Sequence, residues 1–427
     1  MDGTLADGVV RVGGDARQRF HDARGYGRPL DRNRIELAPV EAAHLLSRGD
    51  LDAVAVADDG DGDAEEDENG PDGDSQERLD FRAFLARTGD PLRFTVYKDL
   101  RDRGFYLSPA RVEWPGVAGA AVPETDPGEE TAKAAGGLDF VVYPRGKGPW
   151  DEEVAYRVRV VGERAAVPAA SLGDIVLAVV DEDGELTYFE ADPAPAIGNA
   201  DRGDGGDNGA AEGESDAAEG DSDGVESDAA EGDSDCVESD AAEGDSDCVE
   251  SDALLPADVD ADLLADRVVC YEAADALYER RFYGQRLFGR NADSGPLQLS
   301  LVEGAYLAQR DVVGVDPAAV VERGRDVEGD RFDRRLRVYA ALRDRGVVPK
   351  SGFKFGADFR VYTDFTDVDS LSHSTDLVRV LDPGHDFYPR DLSLDVRLAG
   401  GVRKRMVFAL AAANGEIDWL SVARLTP

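Results

Sequence analysis

A chain of 427 residues, 42% apolar, has room for two or three domains that each bury a core. No run approaches the roughly 18 apolar residues of a membrane helix, and the start, "MDGTLADGVV", lacks the basic-then-apolar pattern of a secretion signal, so the expected location is the cytoplasm. The net charge of −43, with Arg far outnumbering Lys among the 47 bases, reads as adaptation to very high salt, where self-repulsion is screened over a few Å.

In chain order, "IELAPVEAAHLLSRGDL" opens the first recognisable unit, and an acidic insert follows from Asp58 to Glu77 with 11 acids and no base. "PLRFTVYKDLRDRG" has apolar residues at three- and four-residue spacing, predicting a helix that stops at Gly104 in the left-handed position past its end. "DFVVY" (139–143) and "DEDGELTYF" (181–189) follow. From Ile197 to Asp252 there are 21 acids against one Arg, with "ESDAAEGDSD" repeated at Glu214, Glu226 and Glu238. Ser, Asp, Glu and Gly bury too little surface to offset ordering entropy, so this run is expected to be a flexible linker. Together the insert and the linker carry 31 of the 43 net negative charges, leaving the folded parts only mildly acidic. Cys236 and Cys248 recur because the repeat recurs. With Cys270 they show no metal-ligand spacing, and a disulfide framework is not expected.

Beyond the linker the same landmarks return in the same order. "LQLSLVEGAYLAQRDVV" parallels the opening unit, "VYAALRDRG" (338–346) repeats "VYKDLRDRG" (96–104), "DFRVY" (358–362) repeats "DFVVY", and "AANGEIDWL" (412–420) matches "DEDGELTYF". The chain is therefore read as a fused duplication of α/β (α+β) class. The expected divisions are an N-terminal repeat at 1–196, a linker at 197–259, a subdomain at 260–346 and a last domain at 347–427. "RRLRVYAALRDRG" predicts a helix ending at Gly346, "ADFRVY" and "STDLVRVL" predict strands, and "LSLDVRLAGGVRKRMVFALAAANGEIDWLSV" predicts a helix and two strands joined at Asn414-Gly415.

The copies differ where chemistry is expected. "PKSGFKFG" in the second stands where the first has a long small-residue insert, and Tyr362 is followed by His373 whereas Tyr143 has no following His. Residues 350–427 carry 10 bases and 11 acids, nearly neutral in so acidic a chain, which hints at a polyanionic ligand. His373 titrates near neutrality and can protonate a leaving oxygen. Lys404 can stabilise a phosphorane-like transition state. Tyr362 needs a nearby cation to act as a base, since its ordinary pKa is about 10. Together they can run attack of a ribose 2′-hydroxyl on the adjacent phosphate without a metal or other cofactor.

"KSGFKFGADFRVY", "HS" at 373–374 and "GGVRKRMVFAL" resemble the catalytic repeat of archaeal tRNA-splicing endonucleases, and the likeness covers both copies outside the acidic inserts. The resemblance implies Tyr362 as general base, His373 as general acid and Lys404 as transition-state stabiliser. It implies metal-independent cleavage of precursor tRNA at bulge–helix–bulge junctions, leaving a 2′,3′-cyclic phosphate and a 5′-hydroxyl. It also implies tandem repeats, each a small α/β subdomain followed by a nuclease-like domain with a small mixed sheet flanked by helices. It further implies that Arg397 and Trp419 grip a flipped base, with a core-filling indole as the alternative for Trp419. The acidic loop Asp181, Glu182, Asp183, Glu185 is the expected docking element of a homodimer. No membrane or DNA partner is expected. Two rivals are a non-catalytic RNA-binding scaffold subunit and a metal-dependent nuclease, for which only Asp358 and "DVR" at 395–397 offer ligands.

Overall fold

The computed structural model describes residues 1–57, 77–111, 114, 137–151, 153–193, 195–197, 255–271, 274–289, 292, 294–363, 365, 368, 371 and 373–427. The acidic insert apart from Glu77, the small-residue insert of the first copy, and the linker with Cys236 and Cys248 (except its ends) lie outside the described residues.

The first copy opens with strands Asp2–Ala6 and Val9–Val12, paired across Asp7-Gly8, both with positive φ as a two-residue hairpin requires. They form the middle of a six-stranded sheet packed against helices Pro39–Ser47, Phe81–Thr88 and Pro91–Asp102. The second copy builds a four-stranded sheet against helices Leu301–Ala308, Pro317–Glu328 and Asp330–Asp344. The expected helix stops are present: Gly104 and Gly346 sit just past their helices at φ +91° and +75°.

Repetition extends to the buried polar groups. Gly27 and Gly284 both have positive φ, both lie where a Cβ would strike a backbone carbonyl (2.2 and 2.5 Å), and both donate their N–H to a buried glutamate, Glu41 and Glu303. The guanidinium of Arg101 lies 3.7 Å over the Tyr26 ring, and that of Arg343 lies 4.0 Å over Tyr283. Asp139 pairs with Arg93 and accepts the Val160 N–H, as Asp358 pairs with Arg335 and accepts the Val380 N–H. Each aspartate thus ties a long helix to the second and third strands of its domain. A duplication, not convergence of composition, accounts for such matched buried pairs.

The two small sheets expected of the catalytic-type domains are halves of one ten-stranded sheet. Five strands of the second copy run Val348–Ser351, Phe359–Tyr362, Asp376–Leu381, Arg405–Ala411, Ile417–Leu425; five of the first continue in mirrored order, ending at Leu107–Pro109. The seam is the antiparallel pairing of Leu186–Asp192 with Ile417–Leu425, from Tyr188↔Leu425 to Asp192↔Ser421. One core straddles this seam, joining Leu177, Phe189 and Ala191 of the first copy to Phe387, Val396, Phe408 and Leu420 of the second. Fully burying each large side chain there stabilises the sheet by about 1.5–3 kcal/mol, so the copies are welded rather than strung. Above it lies helix Pro389–Gly401; the first copy has only the short 3-10 turn Ala169–Ser171 in that stretch.

Candidate active site

Three segments meet where strands Phe359–Tyr362, Asp376–Leu381 and Arg405–Ala411 begin or end together. Tyr362 closes the first of these and lies opposite Val348. The next residues to join the sheet are those after His373: the Thr375 N–H donates to the Val361 carbonyl at 2.9 Å, and the Arg405 N–H donates to the Thr375 carbonyl at 3.1 Å. Lys404 then reaches back, its ammonium donating to the Ser374 carbonyl. The backbone therefore pins the His373–Thr375 segment between the residue before Tyr362 and the residue after Lys404.

Buried Asp376 reinforces this junction by accepting Arg405 Nε at 2.7 Å and the Thr375 hydroxyl at 2.9 Å. Lys404 is aimed by the exit of helix Pro389–Gly401: two glycines end it, Arg403 takes a left-handed φ of +55°, and the Lys404 N–H bonds the Ala399 carbonyl. A non-glycine residue in that region stores strain of order 1 kcal/mol, a feature common beside functional groups.

Tyr362 is 4% exposed, its ring edge-on to Phe282 at 5.8 Å, with the Arg360 guanidinium 5.5 Å from the ring centre. His373 is exposed. Burial, and after it the positive charge of Arg360, hold the Lys404 ammonium below the ordinary lysine range; Asp376 acts in the opposite direction. Its ammonium also lies 5.8 Å from the Phe355 ring centre. A phenol, an imidazole and a partly desolvated cation brought to one sheet end are groups able to serve as a base, an acid and an electrostatic stabiliser.

In the first copy the same strand end is built differently. Tyr143 is wholly buried and its hydroxyl is hydrogen-bonded to Ser108 at 2.8 Å.

The remaining expected site residues are not gathered there. Arg397 is exposed on helix Pro389–Gly401, which packs on the seam core through Leu392, Val396 and Ala399. Trp419 is 9% exposed and belongs to the core on the opposite face of the sheet, with Arg345 stacked 4.3 Å over its indole. Within one chain, then, the two do not face each other. The loop of Asp181, Glu182, Asp183 and Glu185 is a hairpin tip shaped by Asp181, whose carboxylate accepts the N–H groups of Asp183 and Glu185; Glu182, Asp183 and Glu185 are exposed, with Glu182 paired to Arg164 at 2.6 Å. Sequence reasoning passed over Asp376, Arg405 and Arg345. The first two were readable as an acid and a base at matched strand starts; the third carried no signal.

A family model described as "tRNA intron endonuclease, catalytic C-terminal domain" matches residues 332–419. A second, "tRNA intron endonuclease, N-terminal domain", matches twice, at 1–63 and 259–319, which again marks the duplication. A protein named tRNA-splicing endonuclease from Haloferax volcanii is 56% identical over the full length of both chains. One of the same name from Haloarcula marismortui is 47% identical, also over both full lengths. A third, from Methanosarcina mazei, is 31% identical over 97% of this chain and 96% of its own.

Proposed function

The chain belongs to the tRNA intron endonuclease family and is an RNA endonuclease of tRNA splicing, and from that premise we propose that it cuts precursor tRNA at bulge–helix–bulge junctions by 2′-hydroxyl attack. The observation that supports this most is the convergence of Tyr362, His373 and Lys404 from three segments at one sheet end. In the proposed step Tyr362 takes the proton of the 2′-hydroxyl, and the freed oxygen bonds to the neighbouring phosphorus. Lys404 balances the extra negative charge on the phosphoryl oxygens. The bond to the 5′-oxygen then breaks while His373 gives that oxygen a proton. The products are a 2′,3′-cyclic phosphate and a 5′-hydroxyl. DNA lacks the nucleophile and is no substrate.

Base, acid and cation are all side chains here, so the step asks for no metal. The metal-dependent rival is disfavoured because its candidate ligands are already engaged, Asp358 by Arg331 and Arg335 and Asp395 by Arg379. The test is incubation with an intron-bearing precursor tRNA at high salt in chelator. Release of the intron with cyclic-phosphate ends supports the reading. Binding without cutting favours the scaffold, and cutting only on adding Mg²⁺ favours the metal enzyme.

Two junctions per intron call for two sites, and each chain has one, so the working unit in this reading is a homodimer in the cytoplasm. The acidic tip 181–185 docks one chain on the other, and Arg397 grips an unpaired base from its helix. Trp419, under Arg345, acts on RNA only through that guanidinium. The combined change Glu182→Gln, Asp183→Asn, Glu185→Gln keeps the Asp181 turn and removes the charge. Light scattering in molar salt is expected to show monomers where the unmodified protein is a dimer; an unchanged dimer refutes the docking role.

A further inference from the structure

Among the described residues, Arg360 is a cation beside the site that has been given no task. It lies in the middle of strand Phe359–Tyr362, half-buried, and its guanidinium carbon is 5.5 Å from the centre of the Tyr362 ring. Its neighbours in the domain are neutralised: Arg335 faces Asp358 and Glu328, Arg379 faces Asp395, and Arg405 faces Asp376. Among the described residues Arg360 has no carboxylate partner, and its buried Nε has no hydrogen-bond acceptor. A half-buried guanidinium with no described carboxylate partner, beside a second cation, Lys404, is costly unless an anion arrives. The first copy supplies the control. There "DFVVY" puts Val141 at the corresponding position, and that copy lacks the His and Lys as well.

We infer that Arg360 is a fourth active-site residue, which with Lys404 holds the non-bridging oxygens of the scissile phosphate. This rests on the cleavage reading given above. A guanidinium offers planar paired donors that fit two phosphoryl oxygens, whereas Lys404 is a point charge with one proton already committed to Ser374. The pair divides the work: Arg360 orients the phosphate in line with the 2′-oxygen, and Lys404 takes the charge that develops on it. Arg360 forms and breaks no covalent bond, so the proton balance between Tyr362 and His373 is unchanged. Its place over the Tyr362 ring also holds the phenol in register with that phosphate.

The experiment is single-turnover cleavage of precursor tRNA by Arg360→Met and Arg360→Lys, with RNA affinity measured for each in a His373→Ala background. Arg360→Met is expected to slow cleavage about a hundredfold or more while changing affinity only a few-fold. Arg360→Lys is expected to recover part of that rate. A second readout separates phosphate contact from mere packing. Replacing one non-bridging oxygen of the scissile phosphate by sulfur slows the unmodified enzyme stereospecifically, and that stereoselectivity is expected to collapse in Arg360→Met. Because removing Arg360 also relieves Lys404 of a like charge, the alkaline fall of the rate should move to higher pH. A rate within a few-fold of the unmodified enzyme, or sulfur selectivity that survives in Arg360→Met, overturns the inference. If instead His373→Ala still cleaves, it is the underlying cleavage reading that fails, whatever Arg360 does.

Discussion

His373→Ala is expected to slow cleavage of precursor tRNA by about 10²- to 10⁴-fold in single-turnover assays, with melting temperature and RNA affinity nearly unchanged. The departing 5′-oxygen leaves as an alkoxide unless protonated, and the exposed imidazole of His373 is the group given that proton transfer in the proposed step. Removal should not disturb the fold, because His373 is exposed and the residues that hold its segment are its neighbours. The Thr375 N–H on the Val361 carbonyl and the Lys404 ammonium on the Ser374 carbonyl both survive the change. A variant within a few-fold of the unmodified rate would show that another group protonates the leaving oxygen. Loss of activity together with loss of melting temperature would instead mark His373 as structural.

The largest stability effect is expected at Lys350→Ser, away from the chemistry. Lys350 is almost wholly buried, with its ammonium on Glu303 at 2.8 Å and on the carbonyls of Phe282 (3.2 Å) and Gly284 (2.8 Å). It ties the edge strand Val348–Ser351 to helix Leu301–Ala308 of the preceding subdomain. The first copy shows what its absence does. There Ser108 occupies the matching strand position, and Glu41, the counterpart of Glu303, meets no lysine among the described residues. Burial pushes Glu41 up to about 7, against the smaller opposing pull of the Gly27 and Ala38 N–H groups. Burial acts on Glu303 as well and is the largest single influence, but Lys350, joined by the N–H groups of Gly284 and Ser300, holds that carboxyl below its ordinary range.

The two glutamates consequently respond to pH with opposite sign. Glu303, depressed in the folded protein, contributes stability that is present above the ordinary carboxylate range and lost as pH falls. A raised carboxyl such as Glu41 contributes stability below about pH 4.5 that is lost as pH climbs to about 7. Lys350→Ser should convert Glu303 from the first kind to the second. At neutral pH and above, where an unpaired buried carboxylate must stay charged, the loss is expected to be about 3–5 kcal/mol; it should shrink toward pH 5 as the carboxyl takes a proton. Amide exchange in helix Leu301–Ala308 at the two pH values measures it. A loss of equal size at both would mean that Lys350 acts by packing and not by charge.

Much of the fold was legible because its units are local. The helices at Pro91–Asp102 and Asp330–Asp344 follow from apolar spacing and a terminal Gly, and the last hairpin from Asn414-Gly415. What could not be read was long-range. Nothing in "ELTYFEAD" or "IDWLSVARL" states that these edge strands pair with each other, since backbone hydrogen bonds are indifferent to side-chain identity, yet that pairing makes two small sheets into one. Polar residues whose partners lie far off in sequence were equally opaque. Lys350 reads as an ordinary strand lysine until Glu303, 47 residues earlier, is placed against it.

At the site the duplication did the work of a control. Tyr362, His373 and Lys404 stood out because the first copy keeps only the tyrosine, and the same comparison exposes Arg360 against Val141. Trp419 escaped this logic. An indole on a strand serves equally in a core or on RNA, and only its 9% exposure and the Arg345 stack separate the two.

The most direct measurement is cleavage of a precursor tRNA carrying a single 2′-deoxy nucleotide on the 5′ side of one junction, in chelator, beside the all-ribose substrate. Attack by the neighbouring 2′-oxygen predicts that the deoxy junction stays intact while the other junction of the same molecule is cut at its normal rate. Cutting at the deoxy junction, or products ending in a free 3′-hydroxyl, would mean that the nucleophile is water and that the roles given to Tyr362, His373 and Lys404 are wrong.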